Sequence, residues 1–368
     1  MLSFFHFVTR SRLLRAAAPG ALLSLALCSA AVDAQVAAAP SPQKYPWDKR
    51  PGKCFGAPPG TPLPSFCAEP DHWSDSAVAW AHAYELMLNE DFDLLERAGK
   101  EVGLQPGKFT SGDYLFETWT AALKSVFEID ERAYERAVRW QQAKGEQGFS
   151  RLAMAVAKRG QAFRARDAGH ANGLPAEGWD LFYRKLEEAN DLLDGAPPPL
   201  KQSGPWQVLK VEVVFESLKH KEERAAVLEA ATRAWPDSAM IYGVPMRFAR
   251  ERGGSYATMD TVARFALQRT RERLGAAMYA TLYEQAFRAP TRLNLRNSAV
   301  DWSLMKQGFR DAESKRIGLP ATWKNYAAFA CQMRDKDEAR RLYAVYDSLR
   351  AAPEADEADP CRLFATSS

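Results

Sequence analysis

Residues 321–334 read ATWKNYAAFACQMR, and residues 336–350 read KDEARRLYAVYDSLR. In both stretches apolar residues return after three or four positions, which is the period of an amphipathic helix. The second stretch carries its apolar stripe on Ala339, Leu342, Tyr343, Tyr346 and Leu349. Because a single residue separates the two stretches, we predict two helices joined by a short turn. Asp335 and Glu338 are expected to form a capping box at the start of the second helix.

The same period recurs along the chain. One stripe comprises Ala77, Ala81, Tyr84 and Leu88, and another comprises Met259, Val262, Ala263, Ala266, Thr270 and Leu274. A second predicted helical pair covers residues 222–235 and 238–252, and Gly253 and Gly254 are expected to end it with a C-terminal cap. The pairs return at intervals of roughly 30 to 40 residues, which is typical of helical-hairpin solenoids such as tetratricopeptide arrays.

One segment, residues 207–215, also fits a strand. Its apolar residues alternate with others from Leu209 to Phe215, whereas Val208, Val211 and Phe215 form a helical stripe. A lone strand among many helices would have no partner for its backbone hydrogen bonds. We therefore predict a buried helix here.

These patterns predict an all-α fold, built as an irregular helical-hairpin (tetratricopeptide-like) solenoid or bundle over residues 72–351. A Pro-, Ala- and Gly-rich linker and loop is expected at 35–71, and a C-terminal tail at 352–368. The chain of 368 residues is 46% hydrophobic and 26% charged, as in globular proteins. Its net charge of +3 argues against a strongly basic nucleic-acid binder.

Residues 1–34 have the pattern of a secretory signal peptide. Arg10, Arg12 and Arg15 precede an uncharged run at 16–32, and small residues end the segment, so that Gln35 would begin the mature chain. We expect an exported, periplasmic protein with no membrane span after cleavage. Secretion, or anchoring by an uncleaved N-terminal helix, is the alternative.

Two features weigh against a lasting membrane attachment. The uncharged run is shorter than the about 20 residues of a spanning helix and contains Pro19 and Gly20. Lipidation at Cys28 is disfavoured because the bulky Leu27 precedes it, where a small residue is usual.

Four cysteines remain in the predicted mature chain, namely Cys54, Cys67, Cys331 and Cys361. An even number in an exported protein indicates two disulfides. We favour the local pairs Cys54–Cys67 and Cys331–Cys361, each of which would contribute about 3 kcal/mol by loop entropy. A metal site or a redox dithiol is the alternative, but the chain has no C-x-x-C and its His and Cys do not cluster.

No common catalytic motif occurs: the chain lacks G-x-S-x-G, H-E-x-x-H, G-x-x-x-x-G-K and G-x-G-x-x-G. Asp75, His82 and Glu85 fall on one helical face, where a carboxylate would orient a base, although a solvated polar face gives the same pattern. Carboxylate groups suited to glycoside hydrolysis are Glu212 with Glu216, and Glu128 with Asp130 and Glu131. His170 and His220 lie in polar stretches and are expected at the surface.

Two further sets of residues are binding candidates. An anion-binding patch would comprise Arg247, Arg250, Arg252, Arg264 and Arg271, although a solvated face explains the same arginines. Tryptophans recur at Trp80, Trp119, Trp140, Trp179, Trp206, Trp235, Trp302 and Trp323. A groove lined by them would bind peptides or glycans, but such side chains more often lock helices together.

Several short stretches resemble a family of exported bacterial proteins whose shared domain has no known function. They are NEDFDLLE (89–96), AEGWDLF (176–182), RERGGS (250–255), DWSLMKQGFRD (301–311) and WKNYAAFAC (323–331). The resemblance covers about residues 77–350. It implies an all-helical, tetratricopeptide-like fold and no particular activity.

The sequence combines much predicted helical surface with few convergent catalytic groups. This favours a non-enzymatic module of the cell envelope that binds or scaffolds another envelope protein or a peptide. No cofactor and no nucleic acid is expected. The alternatives are a hydrolase that acts on envelope polymers through paired carboxylates, and a carrier of a small ligand or lipid in a closed apolar cavity.

Overall fold

A computed structural model describes residues 75–109, 111–128, 132–167, 176–251, 254–288, 295–349 and 359–366. Within these ranges the chain forms sixteen α-helices and one 3₁₀ helix, and the only β-type pairing is an isolated bridge between Lys108 and Tyr114. The predicted all-α class is confirmed, whereas the solenoid arrangement stays a prediction.

The α-helices follow one another with short connections. In chain order they are α1 Asp75–Leu88, α2 Phe92–Gly103, α3 Leu115–Phe127, α4 Ala133–Lys144, α5 Ser150–Asp167, α6 Ala176–Asp194, α7 Pro198–Lys201, α8 Gly204–Glu216, α9 Arg224–Ala234, α10 Ala239–Glu251, α11 Tyr256–Leu274, α12 Ala277–Arg288, α13 Trp302–Ser314, α14 Pro320–Gln332, α15 Lys336–Leu349 and α16 Pro360–Thr366. The 3₁₀ helix, Leu295–Asn297, lies between α12 and α13. Consecutive helices such as α5 and α6, or α14 and α15, pack against each other.

The hairpin of α14 and α15 shows both the strength and the limit of the periodic pattern. Its stripe is buried as far as Tyr346, but Leu349 is 49% exposed because the helix ends there. Asp335 caps α15 by accepting a hydrogen bond from the Glu338 backbone at 3.2 Å. The Glu338 side chain pairs instead with Arg341, so the capping box is only half formed.

Helix α8 is the buried helix predicted from residues 207–215. Ser203 caps it by accepting a hydrogen bond from the Trp206 backbone at 3.3 Å, and Pro205 lies in its first turn, where no N–H is needed. The helix contacts α3, α5, α6, α9 and α10. Its many β-branched residues thus form a helix because every side of it is packed against other helices.

Aromatic side chains within the core lock neighbouring helices together. Trp119, Trp140, Trp235 and Trp323 are all buried. Around α8, the ring of Trp235 contacts those of Tyr114 and Phe116 at centroid distances of 5.4 and 4.7 Å. The three rings belong to one buried cluster with Val211 of α8 and Val244 of α10, so this cluster joins helices that carry the pocket described below.

At the C-terminal end, a disulfide joins Cys331 on α14 to Cys361 on α16, with Cα atoms 5.5 Å apart, in agreement with the predicted pairing. Tyr343 also donates a hydrogen bond to Asp359 at 2.6 Å. Helix α16, within the predicted tail, therefore packs on α14 and α15. The signal segment, Cys54 and Cys67 lie outside the described residues. In the described part of the chain, no helix is both long and apolar enough to cross a membrane.

Candidate functional site: a charged and aromatic pocket

A pocket of about 200 Å³ opens between α3, α5, α8 and α10. Helical spacing brings its lining residues together, because residues three or four apart share one face of a helix. Helix α5 contributes three of them at such spacings, and α10 contributes three more. The lining residues are Lys124, Glu128, Arg159, Phe163, Arg166, Phe215, Glu216, Val244, Arg247 and Phe248.

Arg159 lies at the centre of an ion network beneath the pocket and is only 4% exposed. Its Nε and Nη2 donate hydrogen bonds to the two carboxylate oxygens of Glu216 at 3.1 and 2.8 Å, and its Nη1 pairs with Glu128. Burial alone lowers the pKa of Arg159, but the charges of the surrounding glutamates outweigh it and raise the pKa well above its usual range. Arg159 is therefore a permanent cation that forms ion pairs with two carboxylates.

Glu212 is the most deeply buried carboxylate of the network, at 1% exposure. Its Oε1 accepts hydrogen bonds from Lys124 at 2.6 Å and from Arg247 at 2.9 Å. Its Oε2 lies 3.8 Å from Nε of Arg159 and has no hydrogen bond to the described residues. Burial raises the pKa of Glu212, but the charges of Arg159, Lys124 and Arg247 lower it further than burial raises it. Glu212 is thus an ionised acceptor and does not hold a proton that an acid catalyst would donate.

The opposite side of the pocket is apolar. Phe163, Phe215 and Phe248 line it together with Val244. The Phe215 and Phe248 rings meet edge to face at a centroid distance of 5.7 Å. The Arg166 guanidinium lies 4.4 Å from the centroid of Phe163, so a cation sits directly beside the aromatic wall.

Arg247 joins the charged and apolar sides of the pocket. Its side chain is 37% exposed, and Nη2 is the atom that bonds to Glu212. Within the described ranges, Nε and Nη1 have no hydrogen-bond acceptor. Burial lowers the pKa of Arg247, but the charge of Glu212 and its hydrogen bond raise it. The pocket therefore presents a charged guanidinium with spare donors to solvent.

The two predicted carboxylate groups meet at this place. Glu212 and Glu216 come from α8 and Glu128 ends α3, and all three surround Arg159. They serve as ion-pair acceptors, which the sequence did not indicate. Asp130 and Glu131 lie outside the described residues. The missed residue with the clearest signal is Arg159, which stands in the otherwise largely apolar run LAMAVAKRGQAF (152–163).

The described arginines of the proposed patch contact different groups. Arg250 donates to the Ala286 carbonyl at 2.7 Å, whereas Arg264 pairs with Asp260 and Asp301 at 2.6 and 3.2 Å. Arg247 belongs to the pocket, and Arg252 lies outside the described residues. Trp235 is buried, and its indole N–H donates to the Gln202 carbonyl at 3.3 Å.

The residues proposed as an oriented base are not joined in the structure. His82 and Glu85 are both partly buried on α1, and within the described part neither bonds to the other. Burial lowers the pKa of His82 and raises that of Glu85, and the buried Nδ1 of His82 has no hydrogen-bond partner among the described residues. The Asp75 side chain is outside the described residues. A half-buried pair thus replaces the expected solvated face.

His220 is not the simple surface residue that its polar surroundings suggested. Its ring contacts Glu223 at 2.7 Å and Glu187 at 3.1 Å, and its side chain is 13% exposed. Burial lowers the pKa of His220, but the hydrogen bonds to these carboxylates raise it by more, so that the pKa lies above its usual value. Sequence reasoning missed this contact because Glu187 lies 33 residues away in the chain. His170 lies outside the described residues.

Within the described ranges, no group of three or more His, Cys, Asp or Glu side chains is arranged to hold a metal ion. No protein-family model matches the chain, and neither a curated protein nor a solved structure matches it. The resemblance to a family of exported helical proteins therefore stays a prediction.

Proposed function

We propose that the protein is a non-enzymatic binding protein of the bacterial cell envelope, and that it holds a protein or peptide partner through the pocket around Arg159. The observation that supports this is a solvent-open pocket with one cationic and one aromatic side. Its volume of about 200 Å³ is below the roughly 300–1,000 Å³ of sites for drug-sized ligands. Such a pocket suits one side chain or one chain end of a larger partner.

The alternative function, hydrolysis by paired carboxylates, fits this site less well. A glycoside hydrolase needs one carboxyl group that keeps a proton until it protonates the leaving oxygen. In this pocket Glu212 is held ionised by three cations, and both Glu128 and Glu216 are bound to Arg159. Glu212 therefore holds no proton to donate, and Glu128 and Glu216 are already engaged as acceptors of Arg159.

The proposed location rests on the N-terminal segment and on the cysteines. Residues 1–34 have the charge and size pattern of an export signal. The disulfide between Cys331 and Cys361 suits an oxidising compartment such as the periplasm.

Photo-crosslinking from inside the pocket tests this function. Phe248, on the aromatic wall, would be replaced by the photoreactive benzoylphenylalanine, a change of aromatic for aromatic. Leu363, which is 59% exposed on α16, provides the matched control position. In native envelope extract we expect one defined adduct from position 248 and none of the same mass from position 363. No adduct at 248, or the same adducts at both positions, would contradict the proposal.

A further inference from the structure

We infer that the pocket recognises a carboxylate attached to an apolar group of about one residue's size, and that its occupant is the C-terminal residue of a peptide with an apolar side chain. This inference rests on the proposed function and names the chemistry of the partner. It follows from the unused donors, the shape of the apolar wall and the size of the pocket.

The cations around the pocket differ in how far carboxylates occupy their N–H donors. Four cations, Lys124, Arg159, Arg166 and Arg247, line it against the two carboxylates of Glu128 and Glu216. Arg159 already bonds to both carboxylates, and Lys124 bonds to the buried Glu212 behind the lining. Arg247 keeps N–H donors from which no described residue accepts a hydrogen bond.

Arg247 supplies the donors that a carboxylate needs. A guanidinium is planar and binds the two oxygens of a carboxylate through parallel N–H groups. In Arg247, one N–H of Nη2 is bound to Glu212, which fixes the side chain, while Nε, Nη1 and the second N–H of Nη2 have no acceptor among the described residues. One edge of the guanidinium therefore keeps two parallel donors. The ion pair thus holds the guanidinium in place beforehand, which reduces the entropy lost when an anion binds.

The apolar wall distinguishes a chain end from an acidic side chain. Phe163, Phe215, Phe248 and Val244 offer a surface that an Asp or Glu side chain, with one or two methylene groups, would leave uncovered. A C-terminal Leu or Phe carries its carboxylate on the same residue as a large apolar group, whose burial against the wall favours binding. A single residue therefore satisfies both sides of the pocket.

Binding of short synthetic peptides tests the inference directly. The probes are acetyl-Gly-Gly-Phe with a free carboxylate, the same peptide with a C-terminal amide, and acetyl-Gly-Glu-Gly-amide, each titrated calorimetrically into the full chain. Charge-assisted hydrogen bonds contribute about 1.5–3 kcal/mol, so the free acid is expected to bind about 10-fold or more tighter than its amide. The internal Glu peptide is expected to bind no better than the amide.

Variants assign the effect to Arg247. Arg247→Gln should remove the preference for the free acid, and Arg247→Lys, which keeps the charge but not the planar fork, should retain only part of it. Arg264→Gln, which alters an arginine bound to Asp260 and Asp301, is the control and should bind as the wild type does. Thermal melting of each variant confirms that the fold is kept. If Arg247→Gln does not fold, the comparison of the acid with the amide on the wild type still decides the inference.

The outcomes separate the inference from the proposed function. Equal binding of the acid and the amide would overturn the inference, while a pocket-specific adduct at position 248 would still support a binding function. If free acetylphenylalanine binds as tightly as the tripeptide acid, the ligand is a small organic acid and the peptide assignment is overturned. If the Glu peptide binds best, an acidic side chain is the ligand and the chain-end assignment fails.

Discussion

Arg159 is the side chain whose removal we expect to destabilise the protein most, because it neutralises carboxylates that water scarcely reaches. Arg159→Met keeps an unbranched apolar stem but removes the charge and all five N–H donors. Glu216 would lose hydrogen bonds of 2.8 and 3.1 Å, and Glu128 would lose its ion pair. Glu212 would lose a cation 3.8 Å away.

The magnitude follows from what remains behind. Removing one partner of a buried ion pair costs about 3–5 kcal/mol, because the other charge stays buried without compensation. Domains of about 150–250 residues lose about 2–4 °C in Tm per kcal/mol. We therefore expect the Tm of Arg159→Met to be lower than that of the wild type by an amount on the order of 10 °C at neutral pH.

The pH dependence gives the same reasoning a second readout. In the wild type the pKa of Glu212 lies below its ordinary value of 4.5, since the surrounding cations outweigh burial. Such a group stabilises the fold above pH 4.5, and that contribution is lost as the pH falls through the folded pKa. Without Arg159, ionised Glu212 contributes less to the stability of the fold. The difference in unfolding free energy between wild type and variant should therefore narrow below pH 4.5.

Thermal melts followed by circular dichroism, with urea unfolding at neutral and acidic pH, measure both effects. Arg233→Met is the matched control, because Arg233 pairs with Glu229 at 3.4 Å on the surface and such pairs contribute about 0–1 kcal/mol. If the two variants melt at the same temperature, the carboxylates around Arg159 do not depend on it and the argument for a stabilising network is refuted.

Three further changes test other parts of the structure. Replacing Cys331 and Cys361 by Ser removes a disulfide between residues 30 apart and should lower the free energy of unfolding by about 3–4 kcal/mol through loop entropy. Hydrogen exchange should show that the amides of α16 exchange faster than those of α15, because α16 has lost its covalent link. The pKa of His220 is raised above 6.5, because burial lowers it by less than its carboxylate partners raise it. The stability that His220 contributes to the fold is therefore present below pH 6.5 and is lost as the pH rises through the folded pKa. In urea unfolding, the wild type should lose stability relative to His220→Gln over that pH range. Burial raises the pKa of Glu117 to about 7, so stability should fall as the pH rises from 4.5 to about 7, and Glu117→Gln, which removes the buried charge, should flatten this decline.

The helices were predictable because their signal is local. Apolar residues three and four apart mark a helix whatever it later packs against. The predicted hairpin at 321–334 and 336–350 became Pro320–Gln332 and Lys336–Leu349, and the predicted helix within 207–215 became Gly204–Glu216. The Cys331–Cys361 pairing was predictable for a similar reason, since it closes a short stretch of chain.

Charged residues were interpreted less well. The sequence identified Glu128, Glu212 and Glu216 as carboxylates of interest but gave no sign that Arg159 joins them. It placed His220 at the surface, where the structure has it bound to two glutamates. A glutamate in a buried ion pair and one in solvent leave the same pattern in a helix, so periodicity does not separate them.

The sequence by itself determined where the helices lie and which of their faces are apolar, because both depend on neighbours within about two helical turns. The tertiary structure decided which charges meet. Arg159 is 31 residues from Glu128 and 57 from Glu216, and Lys124 is 88 residues from Glu212. Only the packing of α3, α5, α8 and α10 brings these groups within hydrogen-bond distance. The same packing largely excludes water from these charges, and it leaves one edge of the Arg247 guanidinium and an aromatic wall open to solvent.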